Sequence, residues 1–363
     1  MKTRVLIIGG FLGAGKTTTI WSAAKALSQV GHKVGIITND QASELVDTRF
    51  LETAGGKTAE VSGSCFCCNF PGFIDAISSM KEAGIDIVLS EPVGSCTDLS
   101  ATIVQPLKDQ YSEQVSLGPL SVLADAARLN DILNGETSGL HPSAAYIIRK
   151  QMEETDFLVI NKIDLYPEEE IAELKKRAEE AFPLATVIAV SGLYGTGIAE
   201  WMQALEHSEK CGTHLLTDID YDVYAEGEAV LGWLNATVQL HGIDCDWKAF
   251  LEDLLDRLSR RFDERQQAVG HLKVLISENK NLLVGNVVGD RSTLKVRGEA
   301  KGGVSDVEMT INARVQMTPA ELEEAVREEL EKSAASLDSY EIDVLKCLQP
   351  GRPNPTHRYD TVI

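Results

Sequence analysis

Residues 10–18 read GFLGAGKTT and directly follow the apolar run RVLIIG at residues 4–9. Gly10, Gly15, Lys16 and Thr17 match the spacing G-x-x-x-x-G-K-[ST] in the order strand, loop, helix. Glycines let backbone N–H groups turn inward around phosphate oxygens, and the following helix N-terminus adds the positive end of its dipole. The Lys16 ammonium is expected on the terminal phosphates and the Thr17 hydroxyl on Mg²⁺.

Outward from this loop, apolar runs at 4–9, 33–38, 85–90, 120–125, 156–161 and 185–190 alternate with helical stretches. Strands apolar on both faces predict a mostly parallel sheet covered by helices, a doubly wound α/β domain over 1–207. Residues 208–226 lack periodicity and read as a linker. Residues 227–363 read as a smaller α+β, ferredoxin-like domain, with strands at 229–240, 269–277, 281–288, 304–316 and 339–348 and helices at 247–267 and 319–334. The tail PGRPNPTHRYDTVI is expected to extend and to pack on that second domain.

A formal charge of -21 repels phosphate backbones and anionic lipid, so nucleic acid and membrane are not expected partners. The N-terminal apolar run dissolves into GAGKTTT without a cleavage pattern, and an odd number of clustered cysteines argues against a disulfide framework. A cytoplasmic setting is the expectation.

The run ending at 161 continues into Asn161-Lys162-Ile163-Asp164. A carboxylate at Asp164 accepts from N1 and N2 of guanine, a pairing that adenine does not offer, so GTP is expected over ATP. Ser191-Gly192 ends the next strand, where a backbone N–H either meets the guanine O6 atom or serves an ordinary turn. Asp40 and Glu91 also end strands and should face the triphosphate, each as a Mg²⁺ ligand through water or as the group that orders the attacking water. Gly94, in Ser90-Glu91-Pro92-Val93-Gly94, is a place where backbone senses the γ-phosphate.

Residues 63–69, GSCFCCN, hold three of the seven cysteines within four positions. Thiols just before a helix N-terminus are acidified by its dipole, and in a tight turn Cys65, Cys67 and Cys68 would converge on one transition metal. Three thiolates leave a fourth position for another residue, water or a client's ligand. Cys96, in the stretch GSC after Glu91, offers a thiol for that position but reads better as an ordinary core residue; Cys211, Cys245 and Cys347 read as packing residues, and His141 as a surface or capping histidine.

Together GFLGAGKTT, GSCFCC, the strand-end Glu-x-x-Gly and NKID resemble the CobW-type metal-chaperone GTPases, relatives of UreG and HypB. The resemblance implies that Gly10 to Thr18, including Gly13, Ala14 and Thr18, bind phosphates, that Asn161, Lys162 and Asp164 form the guanine site, and that Cys65, Cys67 and Cys68 bind a metal. Zinc is the first expectation, with cobalt or nickel open. It also implies slow GTP hydrolysis to GDP with Lys16, Asp40 and Glu91 as the catalytic set, nucleotide-dependent metal affinity, and delivery to a client metalloprotein, with a homo-oligomer possible. The rival reading is a GTP-gated chaperone of a corrinoid protein with no metal of its own. A small-molecule P-loop kinase is a third, which NKID opposes. The chain departs from the family at Asn39-Asp40-Gln41-Ala42 and Glu91-Pro92-Val93-Gly94, and its seven histidines are scattered, which speaks against metal storage.

Overall fold

A computed structural model describes residues 2–40, 57–62, 65–278, 281–298 and 305–363, which divide into two compact units. Gln41 and Ala42, part of the expected switch segment, lie outside the described residues. The first unit is built on strands β1 (Thr3–Gly10), β2 (Val34–Asp40), β3 (Lys57–Ser62), β4 (Ile87–Glu91), β5 (Val115–Leu117), β6 (Ser121–Asp125), β7 (Phe157–Asn161) and β8 (Thr186–Ala189). Their order is β3-β2-β4-β1-β6-β7-β8, every pairing is parallel, and β5 joins the N-terminal end of β1. β4 and β7 are buried along their whole length, as expected for strands covered on both faces.

Helix α1 (Lys16–Gln29) follows β1, and α2 (Phe70–Glu82) follows the cysteine loop with Asn69 as its N-cap, accepting from the Gly72 amide at 3.2 Å. One π-helical turn, Ser100–Val104, runs into α3 (Gln105–Tyr111); α4 (Ala126–Leu133) and α5 (Pro142–Glu153) come next. Among the described residues no helix is long and apolar enough to cross a membrane.

Two expectations about the connections fail. Residues 208–226 are no free linker: the Gly212 and Thr213 amides donate to the buried Asp156 carboxylate at 2.6 and 3.0 Å, and the segment runs into a helix, Tyr221–Ala229. That helix also delays the strand expected from 229, which starts at Gly232. The tail 352–363 belongs to the first unit, not the second. Its Thr356 amide donates to Cys67 O at 2.7 Å, Arg358 pairs with Asp98 at 2.8 Å, and the Tyr359 amide donates to Ala101 O. A buried carboxylate needs a cation, and Arg358 supplies it from a distance in sequence that no local pattern reveals.

The second unit orders its strands β11 (Asn281–Gly298), β10 (Val269–Glu278), β12 (Asp306–Val315), β9 (Gly232–His241) and β13 (Ser339–Leu348), all antiparallel. Without β11 the order is that of a ferredoxin-like sheet. Helix α6 (Trp247–Glu264) buries Trp247, Phe250, Leu251, Leu254, Leu258 and Phe262, a stripe at helical spacing, and α7 (Pro319–Ala334) starts from a Thr318–Glu321 capping box.

Candidate functional site

The carboxyl ends of the parallel strands bring the motifs to one edge of the sheet, where doubly wound folds bind ligands. β1 ends in Gly10, β2 in Asp40, β4 in Glu91, β6 in Asp125 and β7 in Asn161, and the cysteine loop follows β3.

Helix α1 starts from Gly15 in the left-handed region (φ 87°), where a Cβ would stand 2.5 Å from Asn161 Nδ2. Only glycine fits there. Carbonyls of the loop are drawn away from the cradle: Phe11 O accepts from Lys16 Nζ at 3.4 Å, Leu12 O from an Arg128 guanidinium nitrogen, and Ala14 O from Asn161 Nδ2 at 2.8 Å. With these acceptors engaged, the turn presents N–H groups and the Lys16 ammonium to an anion. Sequence reasoning missed Arg128. It is buried with its guanidinium 5.5 Å from the Phe11 ring centroid, and burial pushes its pKa down against the pull of Asp125 and Asp131. Nothing in DAARLND sets it apart from a surface helix arginine.

The Thr17 hydroxyl lies 3.1 Å from both Glu91 carboxylate oxygens, and Lys16 Nζ lies 3.9 Å from Oε1; all three residues are buried. A hydroxyl and a carboxylate so placed fit Mg²⁺, which takes hard oxygen ligands. Asp40 ends β2 opposite Ser62, but its side chain lies outside the described residues. Gly94 is pressed against the cradle: a Cβ there would lie 2.6 Å from the Leu12 side chain and 3.1 Å from Lys16 Nζ.

The residues of the Asn161-Lys162-Ile163-Asp164 stretch divide between bracing the loops and facing solvent. Asn161 gives its amide hydrogens to Ala14 O and Thr19 Oγ1 (2.8 and 3.0 Å) and accepts from the Gly192 amide at 2.9 Å, so it braces the phosphate loop against the loop after β8. Lys162, left-handed at φ 66°, pairs with Asp125 at 2.5 Å. Asp164 is exposed and accepts from the Ser191 hydroxyl at 2.6 Å, which leaves carboxylate lone pairs for a base. The amide expected at O6 is not available at Ser191, which donates to Thr196 O at 2.9 Å, nor at Gly192. The Ser191 hydroxyl is instead the hydrogen-bond partner of the Asp164 carboxylate.

Cys65, Cys67 and Cys68 converge: their sulfurs all lie within 4.8 Å of one another, with Cys65 to Cys67 at 3.0 Å and Cys67 to Cys68 at 3.9 Å. A tetrahedral ion with metal–sulfur bonds of about 2.3 Å has sulfurs about 3.8 Å apart, so the set fits a thiolate-bound metal after a small opening of the first pair. All three are free thiols. Hydrogen bonds from Cys67 and then Cys68 lower the Cys65 pKa, whereas the hydrogen bond to Cys65 pushes Cys67 up, and Cys68 is pushed up to about 11 by its hydrogen bond to the same Cys65. One thiolate is stabilised and two protons are held back, so a cation is what brings all three to the anionic form. Asn39, at the end of β2, holds the loop in place, donating to Val61 O at 2.7 Å and accepting from the Phe66 amide at 2.8 Å. The tail closes over it, with the Asn354 amide 3.3 Å from Cys68 Sγ and the Thr356 hydroxyl on Cys68 O at 3.2 Å. His141 caps α5, its Nδ1 3.4 Å from the Ser143 amide.

The loop after Glu91 is fixed by a second group that sequence did not flag. Glu154, fully buried, accepts from the Thr97 hydroxyl at 3.2 Å and the Ser100 amide at 2.9 Å. Burial, with Asp98 nearby, pushes its pKa from 4.5 up to about 8. The folded protein therefore keeps a proton that the unfolded chain releases, and stability should fall as pH rises from about 4.5 to about 8. Glu154→Gln, which mimics the protonated acid, is expected to flatten that slope and to raise the urea midpoint at the upper end of the window. A variant whose midpoints track those of the parent at every pH would show that Glu154 is ionised in the fold.

The model of the CobW/HypB/UreG nucleotide-binding domain matches residues 4–189. A zinc-regulated GTPase metalloprotein activator of Dictyostelium discoideum is 22% identical over 270 residues, covering 61% of this chain and 55% of that protein. The zinc chaperone YeiR of Escherichia coli is 27% identical over 170 residues, covering 45% of this chain and 47% of that one. The chain thus spans about half the length of the curated relatives it matches. Among solved structures, Helicobacter pylori HypB in complex with nickel aligns at a TM-score of 0.43 and 15% identity, over 59% of this chain and 92% of that one. The Zn(II)-bound YjiA GTPase of Escherichia coli aligns at 0.37 and 14%, over 93% and 100%.

Proposed function

The chain belongs to the CobW/HypB/UreG nucleotide-binding family, and from that premise we propose that it is a GTP-hydrolysing metallochaperone that couples nucleotide state to zinc binding and delivery to a client metalloprotein. The observation that carries this reading is the convergence of Cys65, Cys67 and Cys68 on the sheet edge that also holds the phosphate loop. It favours metal handling over the corrinoid-chaperone alternative, in which the three thiols have no common task. That two relatives are named for zinc adds support for the metal.

Chemically, the site supplies position and charge. Lys16 and the loop amides bind the β- and γ-phosphates, and Asp164 selects guanine. Thr17 and Glu91 would hold Mg²⁺, which supplies charge neutralisation to the phosphates. Glu91, and Asp40 at the end of the neighbouring strand, are the carboxylates placed to order water; catalysis of this kind is slow until the constellation is complete. Coupling runs through Asn39, which joins the end of β2 to the cysteine loop.

The test is zinc affinity of the reduced chain by chelator competition, with GDP and with a non-hydrolysable GTP analogue. One zinc per chain with affinities at least about fivefold apart is expected, a coupling of about 1 kcal/mol or more. Equal affinities would remove the coupling. For the base, Asp164→Ala should weaken GTP binding by about 10²-fold or more while leaving ATP binding unchanged, since two charge-assisted bonds at about 1.5–3 kcal/mol each are lost. Isothermal titration with both nucleotides measures it, and equal binding of ATP and GTP by the unsubstituted chain would reject the guanine assignment.

A further inference from the structure

The cysteine loop carries a cover to which the proposed function gives no task. Cys65 and Cys67 are buried, Cys68 is half-buried, and the tail 352–363 meets the loop on the Cys68 side. The Asn354 amide donates to Cys68 Sγ at 3.3 Å, and the Thr356 hydroxyl and amide donate to Cys68 O and Cys67 O at 3.2 and 2.7 Å. The His357 ring stands edge-on to Phe70, the first residue of α2, with ring centroids 5.2 Å apart.

Beyond the cysteines the tail is latched. Arg358 donates from Nε to Asp98 Oδ2 at 2.8 Å and from Nη2 to Leu216 O at 3.0 Å. The Tyr359 amide donates to Ala101 O at 3.1 Å and its hydroxyl to the Asp109 carboxylate at 2.6 Å. The Asp98 side chain is 1% exposed and takes a second bond from the Tyr221 hydroxyl at 2.8 Å, so Arg358 fills a built cation site and not a surface ion pair. A carboxylate this deep is costly to leave unpaired, which holds the latch shut. Pro353 and Pro355 narrow the conformations of the released segment, so less backbone entropy opposes its return.

We propose that residues 353–359 are a strap that retains the metal in the cysteine site, and that an acceptor reaches the ion by taking the strap's place along the cysteine loop. The inference rests on the metallochaperone reading and adds the device that keeps the cargo from being lost between loading and delivery. Closed, the strap shields the Cys68 side from competing ligands and places an N–H dipole on its sulfur, which favours the thiolate. Open, it bares Cys68 and frees the carbonyls of Cys67 and Cys68 for an incoming segment. The transfer moves no electrons: each metal–sulfur bond that breaks leaves a thiolate that takes a proton from solvent, as a bond from the acceptor's donor atom forms.

Two rates test this: extraction of zinc from the loaded, reduced full chain by excess chromophoric chelator, and alkylation of each cysteine of the metal-free chain by iodoacetamide, read by peptide mapping. Two substitutions loosen opposite ends of the strap. Asp98→Asn removes the charge of the latch and leaves no buried charge behind, since Arg358, already 29% exposed, turns to solvent, and asparagine tolerates the left-handed backbone there (φ 64°). Thr356→Pro removes both donors to the cysteine loop at an exposed residue. Loss of a charge-assisted bond should raise the open population, and with it zinc extraction and Cys68 alkylation, about tenfold or more in Asp98→Asn. Loss of two neutral bonds in Thr356→Pro should raise them about fivefold or more. GTP affinity and the alkylation of Cys245 and Cys347, in the second unit, should stay at parental values. Should Asp98→Asn fail to fold, Thr356→Pro alone decides. If the folded variants release zinc and expose Cys68 at the parental rate, or if Cys245 and Cys347 gain as much as Cys68, there is no strap and the proposal falls while the metal site stands. If the parent holds no zinc, the metallochaperone reading falls and the proposal with it.

Discussion

Lys16→Ala is expected to abolish measurable GTP binding while leaving the protein folded. Two charge-assisted hydrogen bonds to the β- and γ-phosphates are lost, about 3–6 kcal/mol together, or roughly 10²- to 10⁴-fold in affinity. The loss is deepened because the buried Glu91 carboxylate, 3.9 Å from Lys16 Nζ, would then face the triphosphate without that cation beside it. The fold should survive, since the Thr17 hydroxyl still donates to Glu91 and the loop carbonyls of Leu12 and Ala14 keep their partners. Lys16→Arg should not restore binding: Gly94 already packs so closely that a Cβ on it would be 3.1 Å from Lys16 Nζ, and a guanidinium has no room. Titration with a fluorescent GTP analogue, next to a melt of the nucleotide-free protein, measures both effects. Near-parental affinity in Lys16→Ala would mean that GFLGAGKTT is a glycine turn and no phosphate site.

The legible part of this protein is what local chemistry writes into neighbouring residues. A glycine-rich turn before a helix, apolar runs of strand length and a Thr318–Glu321 capping box each state their structure within a few positions, so the parallel sheet and the βαβββαβ order of the second unit follow. Groups that meet across the fold are not written that way. Arg128 under Leu12, Glu154 under Ser100 and Arg358 on Asp98 are each an ordinary residue in its own segment, and only the packing of distant elements gives it a partner. The amide at Ser191 fails for the same reason: its commitment to Thr196 depends on how the loop after β8 closes. The approach of Cys96 to Cys65 and Cys67 is of the same kind: its loop follows β4 and theirs follows β3, and along the chain it reads as a lone cysteine.

Cys67→Ala should remove tight metal binding and leave GTP affinity within a few fold. Cys67 is the middle sulfur of the triad, 3.0 Å from Cys65 and 3.9 Å from Cys68, and it is buried, so no solvent group replaces it. Four-ligand thiolate and imidazole sites hold zinc with about 10–16 kcal/mol, so one ligand carries about 3–4 kcal/mol, a loss of roughly 10²- to 10³-fold. The loop itself is held by backbone bonds that the substitution spares: the Cys68 and Asn69 amides on Cys65 O at 3.0 and 2.8 Å, and the Thr356 amide on Cys67 O at 2.7 Å. Nor does the Cys67 side chain belong to the phosphate cradle, whose contacts run through Lys16, Thr17, Glu91 and Asn161. Metal and nucleotide binding should therefore separate in this variant. The coupling proposed for the parent would run through Asn39, which ties the cysteine loop to the end of β2. Zinc stoichiometry by equilibrium dialysis and GTP affinity on the same sample check both halves. Full stoichiometry at parental affinity would place the metal elsewhere, and an equal collapse of GTP binding would mean that the cysteine loop is part of the nucleotide fold and not a separate site joined to it.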